Sequence, residues 1–550
     1  MTMRSLFLSF AWIAMDVACA SAVRCNNLTT VDLGYAVHQG VCNTAFEYYS
    51  FNNIRYAEAP VGELRWSKPI PPKTTNRTLN DGTDQRVCPQ SYPRWILESR
   101  AAAAGITVEK MAERVMSNPR MNEDCLLLDV HVPAKVFNKR YAVTSGSAVL
   151  VWIHGGGYDI DSKQYDPSGL ISRSQLNDQE GIIFVALNYR LGMFGFLDGN
   201  RDDILSNAGL WDQRMALEWV QKHVHLFGGD PDRVTVIGES AGGGSVMHQV
   251  TAFGGRGEVP FAAAIAQSPA FWTITNDLKL WETTLAVASQ LSSVEITTAE
   301  QLRLLNSSTL MQVNQAMTYN APYGLFVYGP TVDGTFVPDI PSVLLLNGQF
   351  YDSIKGGLNN MDTVIMVGHN RDEASTFTAS LDTNEQLISM FQLSYPVSDT
   401  AERYIFTDLY PNILNGTYGY TSQLGRAKLL ISELVFTCNT RFLGTAFRNQ
   451  TYNYRFECPP GLHGQDLDWT FFVEEDPDVA PEIAIAMQSY FTTFTMTGDP
   501  NGNAGLPTWP LYGEEATLVI FGAGGVATAK DETANRRCEY WQKGEYRKSG

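Results

Sequence analysis

The sequence predicts an α/β fold in which helices flank a mostly parallel central sheet, with antiparallel strands at the N-terminal edge. Continuous β-rich apolar runs recur along the chain, which is typical of strands buried on both faces, and the stretches between them can hold crossover helices. Alternating patches such as residues 31–37 indicate antiparallel hairpins. The runs lie at Ala148–Ile153, Ile182–Leu187, Val234–Ile237, Ala262–Ala266, Val364–Val367 and Tyr452–Phe456.

One crossover helix can be placed by its periodicity. Apolar residues recur at helical spacing between Asn207 and Leu226, and a Gly-Gly-Asp-Pro turn at 228–231 then leads into the next strand. Neither an internal repeat nor a linker-like Gly/Pro tract divides the chain. Residues 23–550 are therefore predicted to form a single domain.

Composition excludes several classes of protein. Hydrophobic residues make up 44% and charged residues 18% of the 550 residues, which favours a large globular core over disorder. The net charge of -18 would repel nucleic acid and anionic lipid head groups. We expect no nucleic-acid partner.

The N-terminus has the pattern of a secretory signal peptide. Arg4 precedes an apolar stretch from Leu6 to Ala14, and small residues at alternate positions lead up to Ala22. We expect residues 1–22 to be removed and the mature protein to be secreted and extracellular. The apolar run is too short for a membrane span, and no later run is longer.

Glycosylation sequons and cysteines fit an oxidising secretory route. Removal of the signal peptide would leave seven of the eight cysteines, so at least one thiol stays unpaired or pairs between chains. The sequons predict a glycoprotein with sugars at Asn27, Asn76, Asn306, Asn415 and Asn449.

The most specific motif is Gly-Glu-Ser-Ala-Gly at 238–242, which follows the predicted strand Val234–Ile237 and precedes a plausible helix start at Gly243. The pentapeptide is short enough to occur by chance in a glycine-rich loop, but strand, turn and helix in this order predict a nucleophile elbow. In this interpretation Ser240 is the nucleophile of an α/β-hydrolase fold. Small neighbours are required because the strand and the helix approach closely.

A serine that attacks an ester needs backbone N–H donors for the oxyanion. His-Gly-Gly-Gly-Tyr at 154–158 follows the predicted strand Ala148–Ile153, so Gly156 and Gly157 are the expected donors, together with Ala241. A phosphate-binding loop is the alternative, but the segment lacks both the P-loop ending and the dinucleotide-binding spacing.

Exclusion selects the base and the acid. In this fold the chain order is serine, acid, histidine, and five of the eight histidines precede Ser240. His248 lies about 12 Å along the same predicted helix at 1.5 Å per residue and cannot reach back, which leaves His369 and His463. His463 is the predicted base because it lies in a turn-rich loop after the last predicted strand, Tyr452–Phe456, whereas His369 is expected to pack or hydrogen-bond locally. Glu373 is the preferred acid, with Asp372 as its competitor. No metal or organic cofactor is expected, since the chain supplies every group.

Several segments in this order resemble the type-B carboxylesterase/lipase family, which includes cholinesterases and secreted fungal lipases. They are the Glu-Asp-Cys-Leu segment at 123–126, Asn-Tyr-Arg-Leu-Gly at 188–192, Gly-Gly-Asp-Pro at 228–231, the elbow at 238–243, Asp-Glu-Ala at 372–374 and His-Gly at 463–464. The resemblance implies Glu373 rather than Asp372 as acid. Ala374 and Tyr158 stand where the family commonly has Gly and Phe.

The resemblance also implies disulfides. It pairs Cys88 with Cys125, closing a loop that carries a lid in related lipases, and pairs Cys438 with Cys538; Cys25 and Cys42 could then pair, leaving Cys458 odd. Apolar residues at helical spacing from Val108 to Val115 predict an amphipathic helix inside the loop, either a mobile lid or a fixed cover.

The function predicted from these residues is that of a secreted carboxylesterase, a serine hydrolase acting on small-molecule or lipid esters. An interfacial triacylglycerol lipase is the second possibility. A catalytically inactive, cholinesterase-like binding protein is a third, disfavoured because nucleophile, acid and base are all present. A histidine base also predicts that acylation declines as the pH drops through about 6 to 7.

Overall fold

The structure is a computed structural model, and it describes residues 29–142, 145–177, 179–198, 203–271, 278–352, 365–395, 397–473, 476–503 and 505–547. The predicted signal peptide, Cys25 and Asn27 lie outside the described residues. Cys25 is one member of the possible Cys25–Cys42 pair.

The strands of the described ranges form one large and one small sheet. In chain order they are β1 (Thr30–Asp32), β2 (Ala36–Gln39), β3 (Val41–Asn43), β4 (Tyr48–Arg55), β5 (Asn76–Asn80), β6 (Leu127–Pro133), β7 (Ser147–Ile153), β8 (Ile183–Leu187), β9 (Gly229–Glu239), β10 (Ala263–Gln267), β11 (Ile365–Asn370), β12 (Tyr452–Phe456), β13 (Thr517–Gly522) and β14 (Gly525–Lys530).

The large sheet has the order β14-β13-β12-β11-β10-β9-β7-β8-β6-β4-β3. Neighbouring strands run parallel from β8 across to β13, whereas β3, β4, β6 and β14 pair antiparallel at the two sides. The small sheet, β1-β2-β5, lies in the N-terminal part of the chain. This is the α/β-hydrolase architecture that the apolar runs predict, including the antiparallel N-terminal edge.

Helices occupy the connections between the parallel strands. The α-helices of the described residues are α1 (Arg94–Ala104), α2 (Val108–Met116), α3 (Ala134–Lys139), α4 (Ser168–Ser174), α5 (Gly192–Phe196), α6 (Ala208–His223), α7 (Ala241–Thr251), α8 (Leu278–Ser292), α9 (Ala299–Arg303), α10 (Ser307–Tyr319), α11 (Pro341–Leu346), α12 (Asn384–Ser394), α13 (Asp399–Tyr404), α14 (Gln423–Ile431), α15 (Cys438–Ala446), α16 (Asp466–Thr470), α17 (Pro481–Thr497) and α18 (Arg536–Lys543).

Several central strands are buried along their whole length. Every residue of β7, β8 and β10 is buried, as expected for parallel strands covered on both faces. α7 packs against β9 and β10, and α17 packs against β7 and β9. The core therefore lies on the strands that carry the predicted site.

Two local predictions were wrong at their edges. The predicted turn at 228–231 overlaps β9, because Gly229 already pairs with Ser147 of β7 before the register shifts. The crossover helix predicted over 207–226 ends at His223 and continues as a 3₁₀ turn over Val224–Phe227. Neither change moves the strand that precedes the elbow.

α1 and α2 have a small apolar cluster of their own. Tyr92, Leu97, Ala101, Met111 and Ile160 form it, separate from the main core. The helix predicted around Val108 and Val115 is thus present as α2. Among the described residues, no helix combines the length and hydrophobicity that crossing a bilayer requires.

Candidate active site

The predicted site residues come from loops that begin where parallel strands end. Ser240 directly follows β9, and the Gly156–Gly157 loop follows β7. Glu373 and His463 follow β11 and β12 in the same way. Because the carboxyl ends of parallel strands meet at one edge of a sheet, these four segments converge there.

Ser240 occupies a strained backbone conformation between β9 and α7. Its φ of 56° and ψ of -124° lie where side-chain-bearing residues are rare. A Cβ on Gly242 would come within 2.1 Å of the Ile153 carbonyl oxygen, and one on Gly238 within 2.5 Å of the Gly242 carbonyl carbon. Both positions therefore require glycine for the strand and helix to approach as they do.

His463 joins Ser240 to Glu373. Its Nε2 lies 2.7 Å from Ser240 Oγ, and its Nδ1 lies 2.5 Å from Glu373 Oε2. Since an ionised carboxylate only accepts, Nδ1–H donates to Glu373 and Nε2 is left to accept the serine hydroxyl. The rings of Phe436 and Phe377 lie 4.5 and 5.1 Å from the imidazole and hold it in place.

Glu373 is fully buried and fully hydrogen-bonded. Its Oε1 accepts from Ser268 Oγ at 2.7 Å and from the Asn370 N–H at 2.6 Å. Burial acts to raise the pKa of Glu373, but His463 and the Asn370 N–H outweigh it and hold the pKa below its ordinary value. Glu373 therefore stays ionised beside the imidazole.

The alternatives to this trio have other partners. Asp372 accepts from the backbone N–H of Ser375 at 3.1 Å and from its hydroxyl, so it does not contact His463. His369 Nδ1 lies 3.0 Å from the Asn370 carbonyl oxygen, and His248 Nδ1 lies 2.7 Å from the Gly244 carbonyl oxygen. Both histidines form local contacts.

The predicted oxyanion donors face the same cavity as Ser240. Gly156, Gly157 and Ala241 all line it. Ala241 begins α7, so its N–H has no acceptor within the helix, and none of the three N–H groups donates to another described residue. Gly156 and Gly157 have φ values of 90° and 62°, a left-handed backbone that glycine adopts without strain.

The motif analysis missed Glu239, whose position next to Ser240 was the available signal. Glu239 is 3% exposed, and its Oε1 lies 3.4 Å from His463 Nε2. Burial raises the pKa of Glu239 well above its ordinary value. Burial would lower the pKa of His463, but Glu239 and Glu373 outweigh it and raise the pKa to about 9.

The cavity above Ser240 has a volume of about 570 Å³ and largely aromatic walls. Phe326 lies directly against the oxyanion loop, since a Cβ on Gly157 would come within 2.3 Å of its ring. Trp95 of α1 forms another wall and donates its indole N–H to the Leu325 carbonyl at 3.0 Å. The space beside the nucleophile is therefore bounded by aromatic rings on the side of the oxyanion loop and on the side of α1.

Disulfides join Cys88 to Cys125 and Cys438 to Cys538, as the resemblance implies. The first closes the segment that carries α1 and α2. Cys458 is buried as a free thiol.

The predicted glycosylation sites differ in exposure. Asn76, Asn306 and Asn415 are exposed, and Asn449 is half-buried.

The sheet and its elbow define an α/β-hydrolase. The sequence pattern of the Carboxylesterase family matches residues 34–541, so the chain belongs to this family and is a carboxylic-ester hydrolase. Carboxylesterase patB of Aspergillus clavatus is 38% identical over 94% of this chain and 96% of its own length. A secreted lipase of Arthroderma benhamiae is 29% identical, over 76% and 82%. The crystal structure of Aspergillus niger EstA is similar with a TM-score of 0.76 at 25% identity, covering 94% of this chain and 98% of EstA.

Proposed function

We propose that this protein is a secreted serine esterase that hydrolyses carboxylic esters through an acyl-enzyme on Ser240. The contacts of His463 with Ser240 and Glu373 carry the proposal. As Ser240 Oγ attacks the ester carbonyl, Nε2 of His463 takes its proton, and Glu373 stabilises the resulting imidazolium.

The remaining steps use the same groups. The N–H groups of Gly156, Gly157 and Ala241 stabilise the oxyanion of the tetrahedral intermediate. His463 then returns the proton to the leaving alcohol. A water molecule, deprotonated by His463, attacks the acyl-enzyme, releases the acid and regenerates Ser240.

Covalent labelling tests the nucleophile. An organophosphate should add to Ser240 alone, which peptide mass mapping detects, and Ser240→Ala should abolish both the label and ester hydrolysis. Ser245→Ala is a matched control, since its hydroxyl lies one helical turn away and donates to the Ala241 carbonyl. A label elsewhere, or full activity of Ser240→Ala, would refute the mechanism. If the wild-type protein neither took up the label nor hydrolysed esters, a binding role would be favoured instead.

Secretion is part of the proposal. The pattern of residues 1–22 supports it, as do the exposed sequons and the relative named as a secreted lipase. The continuous large sheet, which draws strands from Val41 to Lys530, supports one catalytic unit over residues 23–550. Expression of the full chain in a eukaryotic host should yield protein in the medium that begins at Val23 and loses mass on deglycosylation. Retention of the enzyme in the cell would refute secretion.

We further propose soluble esters with short acyl groups as the substrates. Phe326 supports this choice, because its ring stands against the oxyanion loop where an acyl group would lie. A graded series of 4-nitrophenyl esters should show kcat/KM falling beyond a butyryl chain. A kcat/KM that increases with acyl length would favour a lipase.

A further inference from the structure

We propose that Arg100 binds a carboxylate, so that the preferred substrates are esters carrying a second, ionised carboxyl group remote from the scissile bond. This inference rests on the proposed function, because Arg100 and Ser240 line the same cavity.

Arg100 lies on the face of α1 that forms one wall of this cavity. Trp95, Ile96, Ser99 and Arg100 all line it, as residues one helical turn apart do. The Trp95 ring lies 5.8 Å from Phe377, which in turn contacts His463. Arg100 follows five residues later, about 7.5 Å farther along the helix axis. Because Arg100 is also exposed, it stands at the cavity mouth.

The guanidinium of Arg100 is available to a ligand. Its Cζ lies 5.0 Å from the centroid of the Tyr92 ring, and it also interacts with the Tyr92 hydroxyl. No acidic side chain in the described part of the chain lies within ion-pairing distance of it. A guanidinium held over an aromatic face keeps N–H donors at its edge, which match the two oxygens of a carboxylate. Arg94 on the same helix already forms an ion pair, since its Nε lies 2.8 Å from Glu98 Oε1.

Charge makes this position selective. The chain has a net charge of -18, which repels anionic substrates in general. Arg100 is the one lysine or arginine among the described residues that line the cavity, and the acid among them, Glu239, lies beside His463. An ester whose carboxylate reaches the mouth gains a charge-assisted contact while its scissile bond lies at Ser240.

Two matched substrate pairs test the proposal and locate the carboxylate. In the first pair, 4-nitrophenyl hydrogen glutarate carries the charge on the acyl side and is compared with neutral 4-nitrophenyl valerate. In the second pair, 4-acetoxybenzoate carries the charge on the alcohol side and is compared with neutral 4-acetoxybenzamide. The measured quantity is the ratio of kcat/KM for the charged ester to that for the neutral ester. Arg100→Gln should lower this ratio about tenfold or more for at least one pair, since a hydrogen bond to a charged group is removed.

The controls separate charge from structure. Arg100→Lys should keep only part of the ratio, because the ammonium keeps the charge but not the two parallel donors. Arg94→Gln should keep all of it, and raising the salt concentration should lower it in wild type but not in Arg100→Gln. Unchanged ratios for both pairs in Arg100→Gln, or an equal loss of the ratio in Arg94→Gln, would overturn the carboxylate subsite. In either case, hydrolysis of the neutral esters would still support the proposed esterase function. Absence of hydrolysis of all four esters by the wild type would overturn both proposals.

Discussion

Glu239 Oε1 lies 3.4 Å from His463 Nε2, the same nitrogen that contacts Ser240 Oγ. The imidazole thus has one buried carboxyl group at each nitrogen, because Glu373 occupies Nδ1. Burial favours the neutral form of Glu239, and an ionised carboxylate favours the charged form of His463. The two groups are therefore coupled, because a proton on Glu239 removes the charge that stabilises the imidazolium of His463.

This arrangement changes the expected pH dependence. The base must be neutral, so kcat/KM should fall as the pH drops through the pKa of His463. The structure raises that pKa from 6.5 towards about 9, so the acid limb should lie above the 6 to 7 range predicted from an ordinary histidine. A pH-rate profile with a soluble neutral ester measures it. A flat profile down to about pH 4.5 would contradict a histidine base.

Glu239→Gln tests the source of the shift. Removing a negative charge disfavours the imidazolium, so the acid limb of the pH-rate profile should move to lower pH. A purely structural role for Glu239 would lower the rate without moving the limb. Asp372→Asn is the control, since this carboxyl group contacts Ser375 instead of His463. An upward shift in Glu239→Gln would contradict the electrostatic role.

Local patterns predicted the framework of the site. The strand predicted at Ala262–Ala266 is β10, Ala263–Gln267, because a buried parallel strand leaves a continuous apolar run. Chain order and motif context were enough to select Ser240 and His463, which the structure places together. Such signals are contained in short segments.

Contacts between distant segments could not be predicted in this way. Ser268 donates to Glu373 across 105 positions of the chain, and Phe326 reaches Gly157 from another loop. The i,i+4 spacing on α1 predicts the pairing of Arg94 with Glu98, but no spacing rule reveals that Arg100 lies at the cavity and over the Tyr92 ring. These residues acquire their roles only when the fold brings distant loops and α1 to one edge of the sheet.

Substitution of the two neighbouring acids should separate them. Glu373→Gln removes the ionised acceptor of His463 Nδ1–H, so kcat should fall by roughly 10³- to 10⁴-fold, as for other triad acids. Asp372→Asn should change kcat by less than about tenfold, since it weakens the loop contact with Ser375 and a long ion pair with Lys428 without touching His463. Single-turnover acylation rates measure both. Equal losses in the two variants would contradict the assignment of Glu373.

Phe326 should limit acyl length. Phe326→Ala opens space beside Gly157, and each buried methylene contributes about 0.8 kcal/mol. The ratio of kcat/KM for octanoate to that for butyrate should therefore rise about tenfold or more. Phe350→Ala is a control of equal size, because that ring packs against Phe447 and does not line the cavity. A similar rise in both variants would indicate general loosening.

The two disulfides should differ in their effect on activity. They span 37 and 100 positions, for which the chain-entropy model gives about 4 and about 5 kcal/mol of stability. Cys88→Ala/Cys125→Ala should also raise KM, because the closed segment carries α1 and its Trp95 wall. Cys438→Ala/Cys538→Ala should affect unfolding alone. Urea titration and ester kinetics measure these effects, and free thiols at Cys88 and Cys125 in unreduced peptide maps would contradict the bond.

The α1–α2 segment should act as a fixed wall of the site rather than a lid that opens at an oil surface. The backbone N–H of Tyr92 donates to Gln315 Oε1, and Gln315 Nε2 donates to the Tyr92 carbonyl, both at 2.9 Å. Thr318, which lies on α10 like Gln315, donates to Ser91 at 2.9 Å. The apolar face of α2 packs into its own cluster, where Met111 is buried and its apolar neighbours are half-buried.

Opening this segment would break these hydrogen bonds and expose apolar surface. Contact with an oil surface would therefore shift the equilibrium little towards the open form. We therefore expect tributyrin hydrolysis to saturate smoothly through its solubility limit, with no jump in rate when droplets form. Gln315→Ala removes both hydrogen bonds of the side-chain amide, so a jump in rate at the solubility limit should occur most readily in this variant. A jump in the wild type would show that the segment opens and would make the enzyme an interfacial lipase; a jump confined to Gln315→Ala would show that these bonds are what keeps the wall closed.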